Sequence, residues 1–520
     1  MTDTTTGPDR DAAAPEHVDV LVVGAGLSGI GAACRLRMES PWATFAVLEA
    51  REDLGGTWDL FRYPGIRSDS DMFTLGYPFR PWSQAETIAD GPVILQYLRD
   101  TAADFGIDRH IRFRHRVVSA DFDTAAGRWD VHVERTLADG TVEPVHLTCG
   151  WFSSCSGYYR YDRGHLPDFP GTEDFRGTLV HPQFWPEDLD VAGRRVVVIG
   201  SGATAITLVP ALADRGARVT MLQRSPTYVA TLPRVNPVTR RLRRLLPGRW
   251  EGPVLRWLHT LGTQGSYEFS RRRPEVARRI LRRGVERELP PGYDVDTHFT
   301  PSYDPWDQRV CVVTDGDMFA HIRSGAVEVV TDHVETFTPE GIRLRSGRTL
   351  DADVVVTATG LELLFIGGVE LAVDGEPVDV TQRMAYKGMM LEGVPNFSMA
   401  VGYTNASWTL KSDLTARYVC RLVNHLRTSG TTTCTPVADG VSVSDDSIMG
   451  LNAGYVVRAA DRLPRQGDRF PWRVYQNYVR DRRAMRHDGL GRGLRFTGSA
   501  PGPAVGVRAE ERPATVGVGG

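Results

Sequence analysis

Two stretches of this chain share one design, and few folds accommodate both. The first is VDVLVVGAGLSGIGAACRLRMES followed by FAVLEAR; the second is RRVVVIGSGATAITLVPALADRG followed by ARVTMLQRS. Each reads as an apolar strand, a glycine-rich turn, an amphipathic helix and a second apolar strand, the pattern of a βαβ unit. A single GxGxx[G/A] match is weak. Two, each in strand–turn–helix context, predict an α/β fold with two dinucleotide-binding, Rossmann-like domains. A chain of 520 residues has the length for two or three domains.

The residues around each turn say what each unit holds. In the first, Gly24 permits the tight turn, Gly26 lets backbone approach a pyrophosphate, and Gly29 lets helix and strand pack closely. The pyrophosphate belongs at the positive helix N-terminus. Glu49 closes the next strand, 25 positions after Gly24. A carboxylate there accepts hydrogen bonds from a ribose diol and repels a 2′-phosphate, so this site suits FAD or NAD rather than NADP. The second unit has Gly200, Gly202 and Ala205, and its following strand ends in Arg224 and Ser225. Arg224, 24 positions after Gly200, stands where the first unit has its Glu. A guanidinium and a hydroxyl suit the 2′-phosphate of NADPH. A solvated surface arginine is the alternative reading.

FAD is favoured at the first site by EAREDLGGTWDLFRYPGIRSD. Gly55 and Gly56 let backbone lie close to a flat ring system, with Trp58 and Tyr63 available to pack near it. No cysteine falls between Cys34 and Cys149. Electrons leaving a reduced flavin therefore have no nearby dithiol, which leaves dioxygen or a diffusible acceptor.

Composition adds exclusions. The six cysteines have no zinc spacing and no CxxC pair, and read as reduced thiols of a cytoplasmic enzyme. A net charge of −3 gives no basis for a nucleic-acid partner. No apolar run has membrane-spanning length, and the polar N-terminus does not read as a signal peptide. The basic residues are arginines apart from Lys387 and Lys411. Many lie in RRLRRLL and SRRRPEVARRILRRGVERELP, read as a helical insert over about 228–300. Interleaved glutamates favour a solvated face there over an acidic partner or a membrane surface. The expected division is a disordered N-terminus (1–16), a first part of the FAD domain (17–165) and a connector (166–190). An NADP domain containing the insert (191–345), a second FAD part with C-terminal helices (346–497) and a disordered tail (498–520) follow. The clearest late helix, NASWTLKSDLTARYVCRLVNHL, is a candidate to aim its N-terminus at the flavin.

The connector carries FRGTLVHPQFWP, which fits F-x-G-x-x-x-H-x-x-x-W-P through Phe175, Gly177, His181, Trp185 and Pro186. With a GxGxx[G/A] motif on either side, the chain resembles the type I, FAD-containing Baeyer–Villiger monooxygenases from about residue 17 to about 497. GGTWDLFRYPGIRSDSDMFTLGYPFRPW and VGYTNASWTLK look closest to the branch of the mycobacterial ethionamide-activating monooxygenase. The resemblance implies an enzyme that consumes NADPH and O2, forms a C4a-peroxyflavin, and inserts one oxygen beside a ketone carbonyl to give an ester or lactone. Thioether sulfoxidation is a further activity it allows. It implies that Arg309, in DPWDQRV, and Asp69, in RYPGIRSD, form the catalytic pair. Ser28, Glu49, Gly56, Thr57, Trp58, Asp59, Leu60 and Val117 match FAD contacts. Arg67, Ser68 and Asp69 match a segment touching nicotinamide and flavin. Ser201, Gly202, Ala203, Thr204, Ala205, Ile206 and Thr207 match the NADP phosphate loop. One departure is Gln308, where many members have a lysine that helps hold the 2′-phosphate. His181 and the Trp185–Pro186 pair read as a domain hinge rather than as acid–base groups. A monooxygenase confined to nitrogen or sulfur, and an NADPH oxidase that inserts no oxygen, are the competing functions.

Overall fold

The computed structural model describes residues 15–499. The segments expected to be disordered fall almost wholly outside these residues, although Glu16 already opens the first strand. The two βαβ units form as their patterns predict. In the first, strand Glu16–Val23 pairs in parallel with Phe45–Leu48, and helix Leu27–Glu39 connects them. The helix is buried from Leu27 to Leu36, wider than an amphipathic stripe, because the long helix Trp408–Ser429 covers the side away from the sheet. Small residues permit this. Gly31 lies against the Tyr77 ring, where an added Cβ would stand 2.7 Å from a ring carbon.

The first sheet has nine strands. Its parallel core continues through Val142–Ser154 into an antiparallel meander with Arg128–Thr136 and His115–Asp123. The chain returns to this sheet late: Glu370–Val373 adds beside His115–Asp123, and Phe397–Met399 pairs with the end of Val142–Ser154. The first unit is therefore built from two separated parts of the chain.

The second sheet has five parallel strands in the order Val327–Thr331, Arg218–Gln223, Arg195–Ile199, Val354–Thr357, Thr178–Val180. This corrects two expected boundaries. The second domain does not stop at 345, because Val354–Thr357 is a central strand of its sheet, between Arg195–Ile199 and Thr178–Val180. The stretch 166–190 is not only a connector, because Thr178–Val180 forms the edge strand. The physical reason is pairing between segments distant in sequence, which a local apolar pattern cannot reveal.

The insert leaves from a two-stranded parallel ribbon, Val229–Leu232 with Cys311–Thr314. Between these strands come helices Pro237–Leu245, Gly248–Arg272, Pro274–Glu288 and Val295–Phe299. All six cysteines are buried free thiols. Among the described residues no helix is long and apolar enough to cross a membrane.

Candidate active site

The first glycine loop is shaped by contacts that admit no side chain. Gly24 has φ +102°, and a Cβ there would lie 2.6 Å from the Cys155 carbonyl oxygen. A Cβ on Gly29 would lie 1.8 Å from the Gly24 carbonyl oxygen. Gly26 and Gly56 face each other: a Cβ on Gly56 would come to 3.0 Å from the Gly26 Cα. Helix Leu27–Glu39 begins at Gly26 with no side-chain cap and no acidic residue in its first turn, so its positive end is left uncompensated. Glu49 is buried beside it. Its two carboxylate oxygens accept the backbone N–H groups of Ala25 (2.7 Å) and Arg51 (2.9 Å). Burial pushes its carboxyl up, against the pull of those donors.

A second helix N-terminus meets the first. The Trp408 indole N–H donates to Ser28 Oγ at 2.9 Å. Trp408 opens helix Trp408–Ser429, whose N-cap Ser407 is buried, makes no capping bond and has an unpartnered hydroxyl. The Trp408 ring stacks on Tyr158 at 4.9 Å, and the hydroxyls of Tyr158 and Tyr159 lie 2.9 Å apart.

Other residues matched to FAD contacts divide. Thr57, Trp58 and Leu60 lie in the one-turn helix that starts after Gly56, at the loop edge. Asp59 is buried in the same turn, with its carboxylate already engaged by Arg51 and by Arg62. Val117 is a core side chain of the meander. These last two are placed as supports rather than as exposed contacts.

In the second loop Gly200 has φ +136°, and a Cβ there would clash with the Ala358 carbonyl oxygen at 2.3 Å. Gly202 differs: no atom would lie within 4 Å of its Cβ. Helix Ala203–Asp214 starts there, uncapped and without an early acidic residue. The Ser201 hydroxyl donates to the Ser225 carbonyl at 3.1 Å, tying the loop to the next strand end. Ala203 and Thr204 reach the surface, whereas Ala205, Ile206 and Thr207 are buried in the helix packing. Arg224 and Ser225 are exposed beside the loop. Sequence reasoning missed a second cation here, Arg458. Its Nη2 lies 3.6 Å from the position of a Cβ on Gly360, in the loop after Val354–Thr357. Partial burial and the nearby Arg224 charge push its guanidinium below its ordinary value, and Glu362 pulls the other way.

The segment RYPGIRSD crosses from one unit to the other. Gly65, at φ +77°, sits on the second unit's helix, where a Cβ would come within 2.5 Å of the Thr207 carbonyl oxygen and 2.6 Å of Ala211 Cβ. Two residues on, Arg67 pairs with Asp317 of the second unit at 2.6 Å, and its other terminal nitrogen is buried without a partner. Arg67 and Trp58 line a cleft of about 810 Å³ between the units. Asp69 and Arg309 are not in its lining. Ser68 is buried and folds its hydroxyl back onto the Ser70 backbone, so it shapes the turn. Asp69 is exposed, and its Oδ2 accepts from Arg309 Nη1 at 3.0 Å. The Arg309 Nε is buried with no partner. Burial works against the Arg309 charge; Asp69 and the hydroxyls of Tyr455, Tyr158 and Tyr159 more than offset it. Arg309 is therefore a fixed cation with an unused donor.

The connector motif is held by the second unit. Gly177 is wedged between the Phe175 ring, 2.4 Å from a would-be Cβ, and the Asp353 carbonyl oxygen at 2.6 Å. Phe175 meets Phe337 edge-on at 5.8 Å. His181 Nδ1 accepts from the Gln183 N–H, which leaves Nε2–H to donate to the Gly360 carbonyl at 3.3 Å. Burial keeps its imidazole below the usual range, in the neutral form. Trp185 is buried in the second unit's core, with Pro186 directly after it.

The chain is similar to known proteins along most of its length. A family model of flavin-binding monooxygenase-like proteins matches residues 77–251, and one of NAD(P)-binding Rossmann-like domains matches 22–88. The FAD-containing monooxygenase EthA of Mycobacterium tuberculosis is 53% identical over 494 residues, 95% of this chain and 100% of EthA. The chain belongs to the FAD-containing monooxygenases. The EthA of Mycolicibacterium smegmatis is 50% identical over 474 residues, covering 91% of this chain and 95% of its own. A solved steroid monooxygenase bound to NADP has a TM-score of 0.72 at 23% identity, covering 92% of this chain and 99% of its own; that likeness is one of fold. In this FAD-containing monooxygenase, the side chains that sequence reasoning missed come from far along the chain. Trp408 reaches Ser28 across 380 positions. The signal for it was the Ser407–Trp408 pair heading a long helix, whereas Arg458 had no local signal.

Proposed function

We propose that this flavin-dependent monooxygenase holds FAD on its first unit and NADPH on its second, and inserts one atom of dioxygen beside a ketone carbonyl to give an ester or lactone. Thioethers are a second substrate class for the same site. The observation that carries the reading is the Asp69–Arg309 ion pair, which joins the two units and leaves one guanidinium donor free. The first unit fits FAD: the crevice between Gly26 and Gly56 would be filled by any side chain, and the two uncapped helix ends favour anionic groups. Glu49 accepts one backbone donor on each carboxylate oxygen and keeps lone pairs for a ribose diol.

When bound, the flavin takes up hydride from NADPH and activates dioxygen. The protein's part is placement and charge. Negative charge develops on the carbonyl oxygen of a ketone under attack, and Arg309 supplies a positive charge that cannot be lost by deprotonation. Asp69 fixes where that charge sits. Trp408, bonded to Ser28, stacks on Tyr158, which neighbours Arg309, so an aromatic pair links the first loop to the Arg309 surroundings. His181, held neutral against Gly360, positions the second unit's loop rather than moving a proton.

Arg224, Ser225 and Arg458 take the NADPH phosphates, which supports NADPH use despite Gln308. Arg224→Ala is expected to raise KM for NADPH about 10- to 100-fold and leave KM for NADH unchanged, as loss of a charge-assisted contact to a 2′-phosphate should. Arg458→Ala is expected to raise KM for NADPH about 3- to 10-fold by the same logic, as a second exposed arginine. Steady-state kinetics with both nucleotides checks this, and equal effects on NADH and NADPH would place both arginines elsewhere. The function itself is tested by NADPH consumption on ketone and thioether panels with identification of products. Esters from ketones are expected. Sulfoxides or N-oxides with no ester from any ketone would overturn the reading.

A further inference from the structure

Solvated helical faces are what the interleaved glutamates of the insert suggest, and helix Pro274–Glu288 has one: Arg278 pairs with Asp304, and Arg282 with Glu286 and Asp296. Helix Gly248–Arg272 does not. Its inner side is tied to the first unit, with Leu255 buried, Gly252 against Pro81, and Arg256 donating to the carbonyls of Phe73 and Thr74. On its outer side Trp250, Val254, Leu258 and Leu261 recur at spacings of four, four and three, and so share one face. They are 52%, 37%, 42% and 54% exposed. The other exposed positions from Trp250 to Ser266 are Pro253, Gly262, Gly265 and Ser266, so no charge interrupts this stripe.

The stripe is flanked by positive charge. Preceding it, helix Pro237–Leu245 exposes Val238 and Leu245 together with Arg240, Arg241 and Arg244, and Arg249 follows. Among the described residues, Arg243 is the arginine of this helix that has a carboxylate partner, Glu251 at 2.6 Å. On the other flank helix Tyr478–His487 packs its Tyr478 ring 6.0 Å from Trp257, with Arg482 over that indole at 5.0 Å and Arg483 exposed.

We infer that the helices Pro237–Leu245 and Gly248–Arg272 dock the enzyme on an anionic lipid surface, the apolar stripe entering the headgroup boundary and the flanking arginines meeting lipid phosphates. An uncharged apolar stripe bordered by arginines and headed by a tryptophan has the composition of a helix lying in such an interface. Charge selects this occupant over a second copy of the chain. A two-fold contact through the stripe sets the same surface against itself and brings arginine flank toward arginine flank. The root of the insert also fits: the ribbon that carries it ends in Cys311–Thr314, two residues after Arg309. The docked helices and the segment carrying Arg309 are thus joined through one ribbon.

Vesicle flotation tests the inference, using the flavin-loaded full chain with phosphatidylcholine vesicles containing or lacking 30 mol% phosphatidylglycerol, a composition set by the experimenter. The protein is expected to float with the anionic vesicles and at least tenfold less with the neutral ones, and 0.5 M salt should weaken the binding. Leu258→Glu/Leu261→Glu should reduce binding at least tenfold while keeping the parent's flavin content and Tm. Arg240→Gln/Arg241→Gln/Arg244→Gln should do the same through the charges. Absence of flotation, or binding indifferent to lipid charge and to these substitutions, would overturn the inference. So would light scattering that shows a parent dimer converted to monomer by Leu258→Glu, because the stripe would then be a contact between copies.

Discussion

Arg309→Ala is expected to leave reduction of the flavin by NADPH within about threefold of the parent rate and to lower ketone oxygenation by about two to three orders of magnitude, the usual cost of removing one preorganised donor. The fold should tolerate the change. Asp69, the partner left behind, is exposed and is solvated by water, so no buried charge is stranded. The two steps separate because they ask different things of the residue. Hydride delivery requires the nucleotide to be seated, a role we propose for Gly202, Arg224 and Arg458. Oxygen insertion requires a positive charge near an oxygen that turns anionic. Arg309→Lys restores the charge but not the planar fork that meets Asp69 and still offers Nε, and should recover only part of the loss. Asp69→Asn keeps a hydrogen-bond acceptor while removing the countercharge, and should fall between parent and Arg309→Ala. Rapid-mixing absorbance for reduction and product formation for oxygenation read the two steps apart. Ketone oxygenation at the parent rate in Arg309→Ala would remove Arg309 from the chemistry.

Gly29→Ala and Gly202→Ala form the second prediction, because the two loops treat an added methyl group in opposite ways. At Gly29 the new Cβ would stand 1.8 Å from the Gly24 carbonyl oxygen. That atom is backbone, in a turn itself fixed by contact with Cys155, so no rotamer change relieves the clash and the helix must leave the strand. Overpacking of this kind costs about 1–3 kcal/mol or more, and here it also opens the crevice between Gly26 and Gly56. Gly29→Ala should purify without bound FAD and with a lowered Tm. At Gly202, with φ −78° and no atom within 4 Å, alanine fits the protein without strain. The methyl group instead occupies the surface on which a pyrophosphate would lie. Gly202→Ala should keep the parent's yellow colour and Tm, with KM for NADPH raised at least tenfold. Flavin absorbance per mole of protein and a thermal melt decide both. FAD retained in full by Gly29→Ala would contradict the assignment of the first loop.

Local chemistry explains which parts of the molecule could be read beforehand. The glycines of both loops, Glu49 and the helix at Trp408 announce themselves through short patterns with fixed spacing, although Gly24 packs on Cys155, Gly200 on Ala358 and Trp408 on Ser28, all distant in sequence. The domain division was harder. Val354–Thr357 looks like any buried strand, and only its pairing with Arg195–Ile199 and Thr178–Val180 shows which sheet owns it. Arg67 illustrates a similar limit. It lies two residues from Asp69 and matches a nucleotide-contacting segment, yet its guanidinium turns across the gap to Asp317, 250 positions away. Asp69 and Arg309 are 240 positions apart, and only the family resemblance joined them before the fold did. Exposure is the property least legible in the chain. Trp250, Leu258 and Leu261 have the spacing of a core stripe, and the structure turns that stripe outward.

The most direct test of the proposed reaction uses isotopically labelled dioxygen in a single turnover. Enzyme reduced anaerobically with NADPH is mixed with ¹⁸O2 and a ketone, and the product is analysed by mass spectrometry. The expected result is an ester or lactone carrying one ¹⁸O in its ring or ether position, at close to one per flavin, and strongly reduced in Arg309→Ala. Hydrogen peroxide released in full yield beside unchanged ketone would contradict it.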